Sequence, residues 1–220
     1  MQHNQIHQQR ADMYQWFSQL LFRELDEKQL ASLENGENRA WIISLAAIPG
    51  LSGKVKQFER SLTRILRRDS RQMELAADFA SLFLLAPPGG VSPYAGHYPH
   101  TTASAERQQM NVLLIEHGLA ARENEPSDHI AIQLALMAKM VAKEEAVSAQ
   151  YYFLHHHMMC WAPLLRDACL ARDEQGFYPQ AVNLIVSFMR EDEQYLESLL
   201  MDDFYLSSQR CPLSLMGSRS

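Results

Sequence analysis

The residues best equipped for chemistry sit in three places. Asp128 and His129 set a carboxylate beside an imidazole, the pair a general acid–base uses when a nucleophile lies within reach. Neighbouring residues on a helix project about 100° apart, so these two side chains face one another poorly. No G-x-S-x-G elbow supplies a serine. The plainer reading is an acid capping a helix start, followed by a helix histidine. His155, His156 and His157 precede Met158, Met159, Cys160 and Trp161. An i, i+4 spacing puts His156 and Cys160 on one helical face, where imidazole and thiolate suit a soft metal. A metal site needs further ligands with partners behind them, and H-E-x-x-H is absent. Histidines hydrogen-bonded between helices are the alternative. Gly50, Ser52, Gly53 and Lys54 open a helix and invite an anion, but the full G-x-x-x-x-G-K-[ST] loop is missing.

Two charged runs add recognition chemistry. Lys54, Lys56, Arg60, Arg64, Arg67, Arg68 and Arg71 are interleaved with an apolar stripe, which reads as a solvated helix face or as a receiver for an acidic partner. Glu191, Asp192, Glu193, Glu197, Asp202 and Asp203 are the converse. They read as a solvated face or as carboxylates for an arginine-rich peptide. Eleven methionines are many for this length, and flexible, polarisable Met suits both cores and surfaces that accept varied apolar peptides.

The elements that must position these residues are helical. Met13, Trp16, Phe17, Leu20 and Leu21 fall at i, i+3, i+4, i+7 and i+8, one stripe of an amphipathic helix. Val55, Phe58, Leu62, Ile65 and Leu66 repeat the pattern, as do Leu75, Phe79, Leu82 and Phe83. Further stripes run through Ile130, Leu134, Met137 and Val141 and through Ala181, Leu184, Ile185, Phe188 and Met189, extended by Leu196, Leu199 and Leu200. No strict apolar/polar alternation and no solenoid-length repeat stands out. The spacing predicts an all-α bundle of about nine to ten helices. Two segments interrupt it. Residues 86–101 hold four prolines and three glycines; Pro87 and Pro88 end the preceding helix, and Tyr94 and Tyr98 bring apolar faces with polar tips. Residues 122–129 follow Gly118, a plausible helix stop, and carry Pro126 with Ser127 or Asp128 as a cap. This second break divides the chain into helical subdomains at 1–122 and 131–210, with a hinge at 123–130 through which two copies can exchange halves. Residues 217–220 read as a cloning scar.

Composition bounds the function. The 220 residues carry a net charge of −6, 47% hydrophobic and 21% charged residues. A general nucleic-acid binder needs a phosphate-neutralising surface, so no nucleic-acid partner is expected. Three cysteines without C-x-x-C argue against a zinc ribbon or redox dithiol and for a reducing compartment. No secretory leader and no run of about 20 apolar residues is visible, so the chain reads as cytoplasmic, with no membrane insertion.

Three segments, in order, carry a resemblance. Residues 78–83 read D-F-A-S-L-F, followed by Pro87 and by S-P-Y-A-G-H-Y at 92–98. Residues 125–130 read E-P-S-D-H-I. Phe153, His157, Trp161 and Pro163 fit F-x-x-x-H-x-x-x-W-x-P. This set resembles the TorD/DmsD family of cytoplasmic chaperones for molybdoenzymes exported by the twin-arginine route. The resemblance implies an all-α fold and a role without turnover: binding an apo-molybdoenzyme client, trimethylamine N-oxide reductase, and its signal peptide, so that the client stays competent for molybdenum-cofactor insertion before export. It implies weak GTP binding, which the missing P-loop does not support, and no other cofactor. Monomer and domain-swapped homodimer are both compatible with it. Carried over by position, the client-binding residues are Asp128 and His129 first, then Pro126, Ser127, Glu125, Phe83, Pro93, Tyr94 and Tyr98. A signal peptide combines paired arginines with an apolar stretch and calls for a groove with apolar floor and acidic rim. Phe79, Phe83, Tyr94, Tyr98 and methionines are the expected floor; Asp128, Glu125 and the acids of 191–203 are the expected rim. The residues alone also leave open a metal-dependent or nucleotide hydrolase using His129 and the cluster at 155–157, and a helical adaptor that binds folded protein only.

Overall fold

The computed structural model describes residues 2–120 and 125–209. Residues 121–124, and with them the start of the 123–130 hinge, lie outside the described residues, as do Cys211, the 217–220 scar and the side chain of Asp203. Among the described residues the chain forms ten α-helices and no strand. They are α1 (Gln2–Phe22), α2 (Glu27–Glu34), α3 (Gly36–Ser44), α4 (Ser52–Leu66), α5 (Arg71–Phe79), α6 (Ala103–Glu116), α7 (Ile130–Ala142), α8 (Val147–Phe153), α9 (Ala162–Arg172) and α10 (Phe177–Gln209). The chain is all-α, as the periodicity predicts. None of these helices is long and apolar enough to cross a membrane.

The apolar stripes are the buried faces. Met13, Phe17, Leu20 and Leu21 of α1 are buried, as are Val55, Phe58, Leu62 and Ile65 of α4. Trp16, half-buried, sets its ring edge-on against Trp41 and Phe58 at 5.2 and 6.0 Å. The central helix is α7, where Ile130–Leu134, Leu136, Met137, Ala138, Met140 and Val141 are all buried. A helix that is apolar nearly all round has no solvent face to keep and must sit inside. α1 lies along α7, and α10 packs against α4, α8 and α9. Helices from both sides of residues 123–130 therefore share one continuous apolar core.

Local chemistry sets the boundaries. Asp26 and Gln29 form a reciprocal capping box at α2. Asn35 caps α3 by accepting from the Glu37 amide, and Thr102 caps α6 by accepting from Ala105. Gly118 stops α6 at φ +68°, a left-handed conformation that costs other residues a steric penalty. The Leu119 amide then closes back on the Leu114 carbonyl at 2.8 Å. Two helices end in π-helical turns: α5 at Ala80–Leu84, just before Pro87 and Pro88, and α8 at Leu154–Met159. Such wide turns are often found at functional sites. Both fall in segments that carry the family resemblance.

Candidate functional site

The loop at 91–102 folds onto the start of α7 and builds one frame. The Asp128 carbonyl accepts from the Ala95 amide at 3.0 Å, and the Pro93 carbonyl accepts from the Ile130 amide at 2.9 Å. This antiparallel bridge pairs Tyr94 with His129. Side chains lock it. The Asp128 carboxylate, fully buried, accepts from the Gly96 amide at 3.0 Å and from Arg107 Nε at 2.8 Å. The Ser127 hydroxyl donates to the Arg107 carbonyl at 3.2 Å, and the Pro126 carbonyl accepts from the His129 amide at 3.2 Å. Gly96 is required by close approach: a Cβ there would collide with the backbone of Ala103.

His129, not Ser127 or Asp128, caps α7. Its Nδ1 accepts from the Ala131 amide at 3.1 Å. The expected capping acid is already committed to Gly96 and Arg107, which leaves the imidazole to satisfy the helix start. Burial lowers the His129 pKa to about 4 against the weaker opposing pull of Asp128. The ring is therefore neutral near pH 7, the state an accepting Nδ1 requires. It packs against Tyr94 and Phe22 at 5.2 and 6.1 Å between ring centres.

The half-buried side of the frame is formed by Tyr94 and Glu125. The Tyr94 hydroxyl donates to Glu125 Oε1 at 3.0 Å, and burial together with that carboxylate pushes the phenol up to about 12. Behind His129, Phe22 opens onto a cavity of about 260 Å³ between α1, the end of α6 and α7, with Leu114, Leu119, Ile132 and Ala135 among its apolar walls and Gln15, Gln19 and Arg23 at its polar edge.

The site residues expected from the sequence divide accordingly. Glu125, Pro126, Ser127, Asp128, His129, Pro93 and Tyr94 come together in the frame. Tyr98 is tied to its base: its hydroxyl donates to the Ser92 carbonyl at 2.8 Å, its ring lies 5.1 Å from Trp161, and burial pushes its pKa up. Phe83 lies elsewhere, in an aromatic cluster with Phe79 and Tyr178. The acidic run also turns inward at its centre. Asp192 accepts from Arg10 Nε at 2.6 Å, Arg10 Nη2 at 2.9 Å and the Tyr14 hydroxyl at 2.8 Å. Glu193 is bound to His155 Nδ1 at 2.6 Å. Only Glu197 and Asp202 of that run are exposed among the described side chains.

Sequence reasoning missed Arg107, Gly96 and Phe22. Arg107 sits in the middle of α6 and carries no local signal. Gly96 lay in view within P-Y-A-G-H-Y, but its neighbour Ala103 is visible only in the fold.

The hydrolase reading fails on geometry. The π turn spreads the three histidines: His155 goes to Glu193, the His156 ring packs on Tyr152 at 4.6 Å, and His157 Nδ1 faces Glu106 at 3.6 Å. The Cys160 thiol is spent on the His156 carbonyl at 3.0 Å. No group of three His, Cys, Asp or Glu among the described residues converges as metal ligands. Burial raises the Cys160 and Cys169 thiols to about 11 and about 12, so neither offers a thiolate nucleophile near neutrality. At Gly50 the Glu191 carboxylate fills the space a side chain would take, setting a negative charge beside the start of α4 where a phosphate would need the opposite.

The described residues form an all-helical chain with a braced loop and a side cavity. Comparison with known proteins gives its kind. Residues 48–167 match the family described as nitrate reductase delta subunit. The chain is 65% identical over 205 residues to the chaperone protein TorD of Salmonella bongori, covering 93% of this chain and 98% of that one. It is 35% identical to the TorD chaperone of Photobacterium profundum, over 87% of this chain and 95% of the relative. It is 33% identical to that of Vibrio cholerae, over 90% and 96%. The chain belongs to the TorD/nitrate reductase delta-subunit family. It is a client-specific chaperone of molybdoenzyme maturation and not an enzyme.

Proposed function

We propose that the client is the apo form of a trimethylamine N-oxide reductase, met in the cytoplasm through both its twin-arginine signal peptide and its folded body. The observation that carries the signal-peptide part is the adjacency of Glu125 and the cavity: Glu125, Tyr94, His129 and Phe22 touch in series, and Phe22 is a wall of the 260 Å³ cavity. An arginine of the peptide pairs with the Glu125 oxygen that Tyr94 leaves free, a charge-assisted contact. An apolar side chain of the adjoining stretch enters beside Phe22, Leu114 and Ile132. Asp128 and His129 serve this site by holding its frame, since both are buried and already bonded. In the same reading, residues 123–130 are the hinge between halves. Exchange of 131–210 between two copies keeps the α1–α7 and α4–α10 packing, so monomer and homodimer are both stable forms.

The test is calorimetric titration with the signal peptide of the reductase, with a control peptide whose two arginines are replaced by glutamine. Saturable binding that the control loses, and that Glu125→Gln weakens about tenfold, is the expected result. Equal heats from both peptides would remove the acidic contact, and no heat from either would remove the signal peptide as a ligand.

A further inference from the structure

α4 and its C-cap present a row of cations, none of which is paired with a carboxylate among the described residues. Lys56, Arg60, Arg64 and Arg67 lie at i, i+4, i+8 and i+11 and are all exposed, so they line one face of the helix over about 16 Å. Like charges three and four residues apart on a helix repel and lower its stability. Several arginines elsewhere are neutralised: Arg39 with Glu59 at 2.7 Å, Arg68 with Glu74 at 3.0 Å, Arg71 with Glu27 at 2.6 Å, and Arg10 with Asp192. Among the described residues no carboxylate pairs with Lys56, Arg60 or Arg67. Arg64 reaches the 173–175 loop but binds the carbonyl and side-chain oxygen of Gln175 at 2.8 and 3.0 Å, while Asp173 turns back to accept from the Gln175 amide at 2.9 Å. The opposite face of α4, Val55, Phe58, Leu62 and Ile65, anchors the helix rigidly in the core.

We infer that this face of α4 docks an acidic surface segment on the folded body of the client, apart from the signal-peptide site on the Tyr94–Glu125 frame. The inference rests on the client reading above. Charge complementarity selects the occupant. A chain of net charge −6 repels an extended polyanion overall, so nucleic acid or an anionic membrane finds only a short foothold on this row. A local acidic segment of about three turns matches the row in length and needs nothing beyond it. Arginine dominates the row, and its planar fork suits carboxylates better than a lysine ammonium does.

The experiment uses apo trimethylamine N-oxide reductase lacking its signal peptide, the full-length chaperone, and the variant Lys56→Glu/Arg60→Glu/Arg67→Glu, whose three side chains are exposed and pair with no carboxylate among the described residues. Affinity is read by interferometry at 50 and 250 mM salt. The expected result is binding by the wild type that weakens at least tenfold in the variant and at the higher salt, with signal-peptide titration and circular dichroism unchanged. Equal affinity of wild type and variant overturns the docking face alone. A wild type that binds the signal peptide but ignores the client body overturns it as well, and one that binds neither overturns the client reading with it. Preference of the wild type for a DNA duplex or phosphatidylserine vesicles over the client body overturns the choice of occupant. Lys56→Arg, which keeps the positive charge, is expected to bind as the wild type does.

Discussion

Asp128 and Arg107 meet across 2.8 Å with opposite exposures: the carboxylate is at 0% side-chain exposure, the guanidinium at 39%. The asymmetry decides what each contributes. The arginine can rehydrate if its partner is lost, whereas the carboxylate cannot. Arg107→Ala is therefore expected to cost more than Asp128→Asn. The first strands a buried charge on a single amide donor, on the order of 3 kcal/mol; the second keeps an acceptor for Gly96 and costs about 1–2 kcal/mol. Urea denaturation of the two variants checks the order, and the reverse order would show that Arg107 braces nothing.

The neutral cap makes stability depend on pH. His129 has its pKa lowered to about 4 in the fold from about 6.5 in the unfolded chain. The unfolded state thus binds more protons between those values, so stability falls as pH drops from about 6.5 towards 4 and is insensitive to this group above 6.5. The full loss is on the order of 3 kcal/mol. His129→Asn keeps a capping acceptor without a titrating ring and is expected to flatten that part of the profile. A variant profile that overlays the wild type would exclude His129 as its source.

Two glycines should answer alanine in opposite ways. A Cβ at Gly96 meets the Ala103 backbone, which has no flexible end to move, while a Cβ at Gly53 meets nothing within 4 Å. Gly96→Ala is expected to destabilise by about 2 kcal/mol or more by prising the loop from α6. Gly53→Ala, in the first turn of α4, is expected to stabilise by about 0.5–1 kcal/mol. Thermal denaturation reads both signs.

The acids of α10 separate into internal and external sets. Asp192→Asn disturbs a buried ion pair that also holds the Tyr14 hydroxyl and is expected to cost about 3 kcal/mol. Glu197→Gln, on the exposed face, is expected to fall within about 0.5 kcal/mol of wild type. Equal effects at the two positions would contradict the burial of Asp192.

Loss of the frame should reach the client. Asp128→Ala with His129→Ala is expected to lower reductase activity in cells while the isolated chaperone keeps its helical circular dichroism, because the loop loses its lock and the helices keep their core. Undiminished client activity would show that the braced loop is not the binding frame.

The helices and their inward faces were legible in the chain itself, because burial follows a 3.6-residue period that local sequence records. Val55, Phe58, Leu62 and Ile65 announce the buried side of α4, and Pro87, Pro88 and Gly118 announce where helices stop. The strings at 92–98 and 125–130 pointed to a family and, as the fold shows, pack against one another. Which of their side chains face outward was decided only by tertiary structure. A buried charge goes to whatever partner desolvation leaves it, and that partner can lie anywhere in the chain. Asp128 found Arg107 on α6 and the amide of Gly96, so the cap passed to His129. Asp192 found Arg10 at the far end of the chain, so part of an apparently solvated acidic face became interior. Periodicity is a property of neighbours along the sequence; pairing of buried charges is a property of neighbours in space.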